Sequence, residues 1–163
     1  MFDWVVANHY KGADMSTSLS RIQLRVRGYH LDGYGHVNNA RYLEFMEEGR
    51  WDFFDQHPEM IKELHQAGRA FIVVNLNIDY LAAARQGDDL EVMTGIIDVG
   101  ERSGVCHHRI VRKDGARKDG TVIARADLTF VLLDIRANKA AAIEGEVRET
   151  LVTLTLPKAA FSA

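Results

Sequence analysis

The sequence predicts an α+β domain in which a curled antiparallel sheet wraps around one long helix. Three observations carry that expectation. An alternating segment opens the fold, a helix with an unusually broad apolar arc follows, and four long strand-like segments then run to about residue 135. A helix that is apolar over so wide an arc needs neighbours on several sides, and a curved sheet supplies them.

The first segment, residues 21–27, sets Ile22, Leu24 and Val26 against Gln23, Arg25 and Arg27, the alternation of a half-buried strand, and it ends at Gly28. Residues 37–56, VNNARYLEFMEEGRWDFFDQ, have helical spacing. The helix starts at an Asn pair suited to capping and stops before His57-Pro58. At ~100° per residue, Arg41, Glu44, Glu48, Asp52 and Asp55 form one polar stripe. Ala40, Tyr42, Leu43, Phe45, Met46, Gly49, Phe53 and Phe54 fill most of the remainder. A short helix is expected around Glu59–Gln66, with strands over 70–81, 89–101, 104–113 and 121–135. The last strand alternates Ala124, Ala126, Leu128, Phe130 and Leu132 with Arg125, Asp127 and Thr129. Asp114-Gly115 and Asp119-Gly120 supply turn chemistry before it.

A chain of 163 residues, 47% hydrophobic, can bury the core of one domain. Residues 1–19 read as a polar N-terminal extension and 20–163 as a single domain. With 20 Lys plus Arg against 23 Asp plus Glu, the net charge of −3 offers no global attraction to nucleic acid or to an anionic membrane. No window is apolar enough to span a bilayer. The single cysteine, Cys106, cannot form an internal disulfide or a Cys-rich zinc site, which suits a reducing compartment and a soluble, cytoplasmic protein. There is no P-loop, no G-x-G-x-x-G and no G-x-S-x-G. His107 and His108 fall on opposite faces of a strand and do not make a metal site together. No cofactor or metal is expected.

Asp32, bracketed by Gly33 and Gly35, stands just before the helix. The first turn of a helix has unpaired amides and partial positive charge, so it can hold a carbonyl oxygen that is becoming an oxyanion. A carboxylate beside it completes a minimal acyl-transfer site. Asp32 equally fits an Asx turn. His36 is placed to hydrogen-bond Asp32 or an acyl carbonyl, or else to cap and pack. Asn38 and Asn39 suit both N-capping and positioning of water or substrate. Glu47 and Arg50 fall inside the apolar arc at i,i+3 spacing, so pairing with each other is the default, and Glu47 is the rival base. Arg112 and Lys113, with Arg117 and Lys118, form a basic stretch that either meets phosphates or stays solvated.

Residues 25–51, RVRGYHLDGYGHVNNARYLEFMEEGRW, resemble the signature of the hotdog thioesterases related to 4-hydroxybenzoyl-CoA thioesterase, in particular the bacterial long-chain acyl-CoA thioesterase III (FadM-type) group. Further similarity lies in FIVVNLNIDY at 71–80, ADLTFVLLDI at 126–135 and AIEGEVRE at 142–149. The resemblance implies a hotdog fold and hydrolysis of fatty acyl-CoA. It makes Asp32 the catalytic carboxylate, at the second acidic position of the D-x-D-x-x-G pattern, and has the backbone amide near Asn39 polarise the thioester carbonyl. His30 stands at the first acidic position, its role open. The resemblance also implies self-association as a homodimer or homotetramer, with the active sites at the subunit interface. A long acyl chain needs an apolar slot, expected beside Tyr42, Phe45 and Met46, and Arg112 and Lys113 are the candidates for the CoA phosphates if their stretch is not simply solvated. The alternatives are a hotdog hydratase or dehydratase, using His36 with Glu47, and a non-catalytic acyl-CoA-binding protein.

Overall fold

The computed structural model describes residues 18–114 and 120–162. Most of the expected extension, residues 1–17, lies outside them, as do Gly115 and Asp119 of the expected turns and Arg117 and Lys118. In chain order the elements are β1 (Ser20–Arg25), α1 (Asn39–Asp55), α2 (Pro58–Gln66), β2 (Arg69–Tyr80), β3 (Asp89–Val99), β4 (Ser103–Asp114), β5 (Val122–Asp134), the short β6 (Lys139–Ala140) and α3 (Gly145–Thr153). Single 3-10 turns cover Gly28–His30 and Lys158–Phe161.

The strands pair antiparallel in the order β1-β3-β4-β5-β2, with β6 on β5. The chain therefore leaves β1, crosses the sheet as α1, and lays β2 on the far edge. This is the curled sheet and central helix of the hotdog fold.

Each strand has an inner face toward α1 and an outer face away from it. The inner face carries Val92, Thr94 and Ile96, then Cys106, His108 and Ile110, then Ala124, Ala126, Leu128 and Phe130. Tyr42, Phe45, Met46, Gly49 and Phe53 of α1 are buried against it. Gly49 permits the close approach, because a Cβ there would strike the Thr94 hydroxyl. On the outer face Phe161, fully buried, covers Met93 and Val111 beside Leu19.

The expected wrapping of α1 is only half realised within one chain. Leu43 and Trp51 are exposed, Trp51 by 58%, and Phe54 is half-buried. Ile72, Val73 and Val74 on the edge strand β2 are exposed as well. The polar stripe does face outward: Arg41 pairs with Glu44 at 2.6 Å, and Asp52 accepts hydrogen bonds from Ser20 Oγ at 2.6 Å and Gln56 Nε2 at 2.7 Å.

His107 and His108 occupy opposite faces. His108 has no exposed surface and its Nδ1 sits 2.9 Å from Thr94 Oγ1, while its Nε2 has no partner among the described residues. Burial, with the Arg50 charge nearby, pushes its pKa down to about 3. The unfolded chain therefore binds a proton at this site near pH 6.5 that the folded chain refuses until about pH 3. Stability is full above that window and is lost as pH falls through it, with a slope of up to about 1.4 kcal/mol per pH unit from this one group. Urea titrations at pH 7, 5.5 and 4 check this. His108→Asn is expected to flatten the decline, and an equally steep decline in that variant would assign it to other groups.

Candidate active site

The loop before α1 is built around Asp32. Its Oδ1 accepts from the backbone of Tyr34 at 2.8 Å and of His36 at 3.4 Å. Its own N–H donates to His36 O at 2.8 Å, and Gly35, at φ 75°, donates its N–H to Asp32 O at 3.1 Å. Leu31 and Val37 close the base of the loop as an isolated bridge. Asp32 is thus the Asx-turn former that local chemistry allows. Both of these turn bonds go to Oδ1, so the second carboxylate oxygen is not drawn into the turn.

The helix start divides the labour of the two asparagines. Asn38 is the N-cap, its Oδ1 accepting from Ala40 N at 2.9 Å, while its own N–H donates to His30 O and its carbonyl accepts from Arg41 N. None of these bonds uses the Asn39 N–H. That amide has no partner among the described residues, and Asn39 and Asp32 line one cleft of about 380 Å³ together with His36, Tyr42, Tyr80 and Leu81. Tyr80 Oη donates to Asn39 O at 3.1 Å, and Tyr42 Oη accepts from Ala84 N at 3.2 Å. Burial raises the Tyr42 pKa, so this hydroxyl stays neutral.

His30 has a structural job. Its Nδ1 accepts from Arg27 N at 3.0 Å, capping the 3-10 turn, and its ring meets Phe45 edge-on at 5.1 Å. Burial, then the charge of Arg41, lowers its pKa.

Several candidates lie elsewhere. Phe45 and Met46 are core residues, Met46 with no exposure at all, so neither borders an open slot; of the three expected there, only Tyr42 reaches the cleft. The apolar opening is instead farther along α1, a cleft of about 180 Å³ lined by Trp51, Phe53, Phe54, Phe71, Val73 and Phe130, among others. Glu47 is exposed at this second cleft rather than buried, and it is not among the residues around Asp32. Arg50 shares the second cleft, with its Nη1 buried and without a hydrogen-bond partner among the described residues. The expected buried Glu47–Arg50 pair is therefore replaced by an exposed carboxylate and a half-buried guanidinium, because their cleft opens between the core residues Ile96, Cys106 and Leu128 and the edge strand's Phe71 and Val73. Cys106 lies beneath them, its thiol pushed up to about 12 by burial, which excludes thiolate chemistry near neutral pH.

The basic stretch is also redistributed. Arg112 is buried, and its Nη1 lies 3.3 Å from both Asp88 Oδ2 and Ala83 O. Alternation along β4 turns it under the 82–88 loop, so it does not meet solvent phosphates. Lys113 is half-exposed and pairs with Glu91 at 3.6 Å, beside Arg21 at 2.9 Å.

Comparison with known proteins agrees with this architecture. The family model described as the Thioesterase-like superfamily matches residues 26–151. Long-chain acyl-CoA thioesterase FadM of Escherichia coli (strain K12) is 43% identical over 129 residues, 79% of this chain and 94% of that protein. Acyl-CoA thioester hydrolase YbgC of Shigella flexneri is 31% identical over 120 residues, 74% and 86% of the respective chains. Among solved structures, the probable thioesterase YbaW from Escherichia coli superposes with TM-score 0.72 at 39% identity, covering 84% of this chain and 99% of its own. A 4-hydroxybenzoyl-CoA thioesterase complexed with 4-hydroxybenzoyl-CoA shares the fold, with TM-score 0.71 at 20% identity over 86% and 100% of the chains. The family match over residues 26–151 and the 43% identity across 94% of the FadM relative, on a sheet that superposes on YbaW, place the chain in the thioesterase-like superfamily of hotdog thioester hydrolases.

Proposed function

We infer that the protein hydrolyses long-chain fatty acyl-CoA, converting the thioester and water to a free fatty acid and CoA. The observation that carries this reading is the pairing of one free first-turn amide, Asn39 N–H, with one loop carboxylate, Asp32, across a single open cleft. The thioester oxygen rests on the Asn39 amide, where the helix dipole favours the negative charge that develops there. Asp32 acts by one of two routes. It takes a proton from water as the water adds to the carbonyl, or its free oxygen attacks and forms an acyl anhydride that water then opens. In both, CoA thiolate leaves and is protonated. The name of the FadM relative supports the long-chain substrate.

The flank of α1 running from Asn39 to Trp51 measures about 18 Å at the helical rise. It starts at the cleft that Tyr80 of β2 lines and ends at the cleft that Trp51 and Phe71 line. That trough is the proposed course of the acyl chain, and the length suits a long one. Its outer wall is missing in one chain. β2 is a 12-residue edge strand with Ile72, Val73 and Val74 exposed, an arrangement that invites pairing with another strand. A second copy joined along β2 covers the trough and makes a homodimer. Val74→Lys is expected to shift sedimentation from dimer to monomer and to lower activity with it; an unchanged dimer would remove β2 as the seam. The single buried cysteine, which gains nothing from an oxidising environment, fits a cytoplasmic location.

Thiol release from palmitoyl-CoA by the purified protein tests the reaction. Hydration of an enoyl-CoA without thiol release would favour a hydratase, and binding without turnover would favour an acyl-CoA-binding protein.

A further inference from the structure

On the outer face of the sheet, away from α1, two cross-strand rows run side by side. One is Arg109, Arg125 and Asp79; the other is His107, Asp127 and Asn77. They floor an open polar cleft of about 420 Å³, framed by Lys158 of the C-terminal turn at one side and Leu81 at the other. Leu81 is also a wall of the Asp32 cleft, so the two openings adjoin at the end of β2.

The charges in this cleft do not cancel. Arg125 is held by Asp79 at 2.9 Å, and Asp127 takes both Lys158 and His107 at 2.6 Å. Those pairings use both carboxylates of the lining. Arg109 is left over. Its Nε is buried without a hydrogen-bond partner, and no carboxylate among the described residues pairs with it. It also stands directly opposite Arg125 in the register of β4 and β5, a like-charge placement that is destabilising unless something negative lies between the two. A guanidinium with an unsatisfied Nε and no carboxylate of its own, beside a second guanidinium and with the Asp127-paired Lys158 next to it, is a binding set for a phosphate.

We propose that this outer-face cleft, centred on Arg109 and Arg125, binds the phosphates of a CoA thioester whose acyl end lies in the adjoining Asp32 cleft. The proposal rests on the hydrolase reading above. It moves the phosphate contacts from Arg112, which is buried, and Lys113, which pairs with Glu91, to the Arg109–Arg125 pair on the outer face. Leu81 is the corner around which the uncharged pantetheine arm passes.

The test compares palmitoyl-CoA with palmitoyl-pantetheine, which carries the same thioester and no nucleotide phosphates. In the parent, kcat/KM favours the CoA ester. Arg109→Ala is expected to reduce that preference by about tenfold or more, the loss of one charge-assisted hydrogen bond, and to do so through KM. Arg109→Lys is expected to restore part of it. Adenosine 3′,5′-bisphosphate, as a free nucleotide, is expected to inhibit the parent competitively against palmitoyl-CoA and the Arg109→Ala variant less. A preference equal to the parent's in a folded Arg109→Ala protein would overturn the proposal. So would inhibition by inorganic phosphate as strong as by the nucleotide, which would make the cleft a site for free phosphate. A parent that releases thiol from neither ester would instead refute the hydrolase reading on which the proposal stands.

Discussion

Asp32→Asn is expected to lower kcat for palmitoyl-CoA by about 10²–10⁴-fold, the usual range for removing an acid–base group. The substitution separates chemistry from fold unusually well here. Asn keeps an Oδ1 acceptor for the Tyr34 and His36 amides that close the turn, so the loop and the start of α1 stay in place. Only the capacity to accept a proton or to attack is lost. Asp32→Ala removes the turn bonds too, and its thermal midpoint is expected to fall where that of Asp32→Asn does not. Turnover of the Asn variant at the parent's rate, in a protein with the parent's midpoint, would take the reaction away from this cleft. Glu47 is then the remaining carboxylate on the same flank of α1. It lines the apolar cleft two turns along the helix, and Glu47→Gln would have to abolish thiol release to claim the role.

Arg112→Ala is expected to destabilise the protein by about 3–5 kcal/mol, because it strands the Asp88 carboxylate in a buried site. The two side chains are 4% and 3% exposed, so water screens neither. The damage also reaches the active site. Asp88 accepts from Arg85 N at 2.9 Å, its carbonyl accepts from Val26 N at 2.9 Å, and Arg112 itself reaches Ala83 O. These bonds hold the 82–88 loop, whose Ala83 walls the Asp32 cleft and whose Ala84 contacts Tyr42 Oη and the Val37 amide. Loss of activity is therefore expected at temperatures where the variant is still folded. Urea denaturation measures the stability term. A cost below about 1 kcal/mol, the range of an exposed pair, would show that the pair is not desolvated as the structure has it.

Local chemistry was the part of this molecule that the sequence displayed well. The Asx turn at Asp32, the capping asparagines and the alternation of β5 each depend on residues within a few positions of one another, and all were readable. The sides of β4 were readable too, since period two alone places His107 and His108 on opposite faces. Readings that depended on distant partners fared less well. The basic stretch after Ile110 looked like a solvated loop or a phosphate contact, but Arg112 is covered by a loop more than twenty residues earlier in the chain. Glu47 and Arg50 were expected to be buried as a pair because their arc is apolar, whereas that arc borders a strand whose outer edge is open.

Arg109 illustrates the limit most clearly. Nothing near it in the sequence marks it out from the other arginines. Its significance comes from the register that sets it opposite Arg125 and from the ion pairs that commit Asp79 and Asp127 elsewhere. The C-terminal turn, which brings Lys158 to that face and buries Phe161 beneath it, carried no periodic signal because it is four residues long.

The sequence by itself did not show β6 or α3, but it determined the five strands and the two helices up to residue 135, the long helix with its carboxylate-bearing entry loop, and the family to which they belong. These follow from hydrophobic period, capping chemistry and a contiguous motif, all short-range properties of a chain. Only the tertiary structure decided which amide of the first turn is free, which arginine is buried and which is left without a counter-charge, and where an acyl chain finds an open wall. Those outcomes depend on strand order and register, which join residues remote in sequence, and on burial, which decides whether a charge is solvated, paired or left to a ligand.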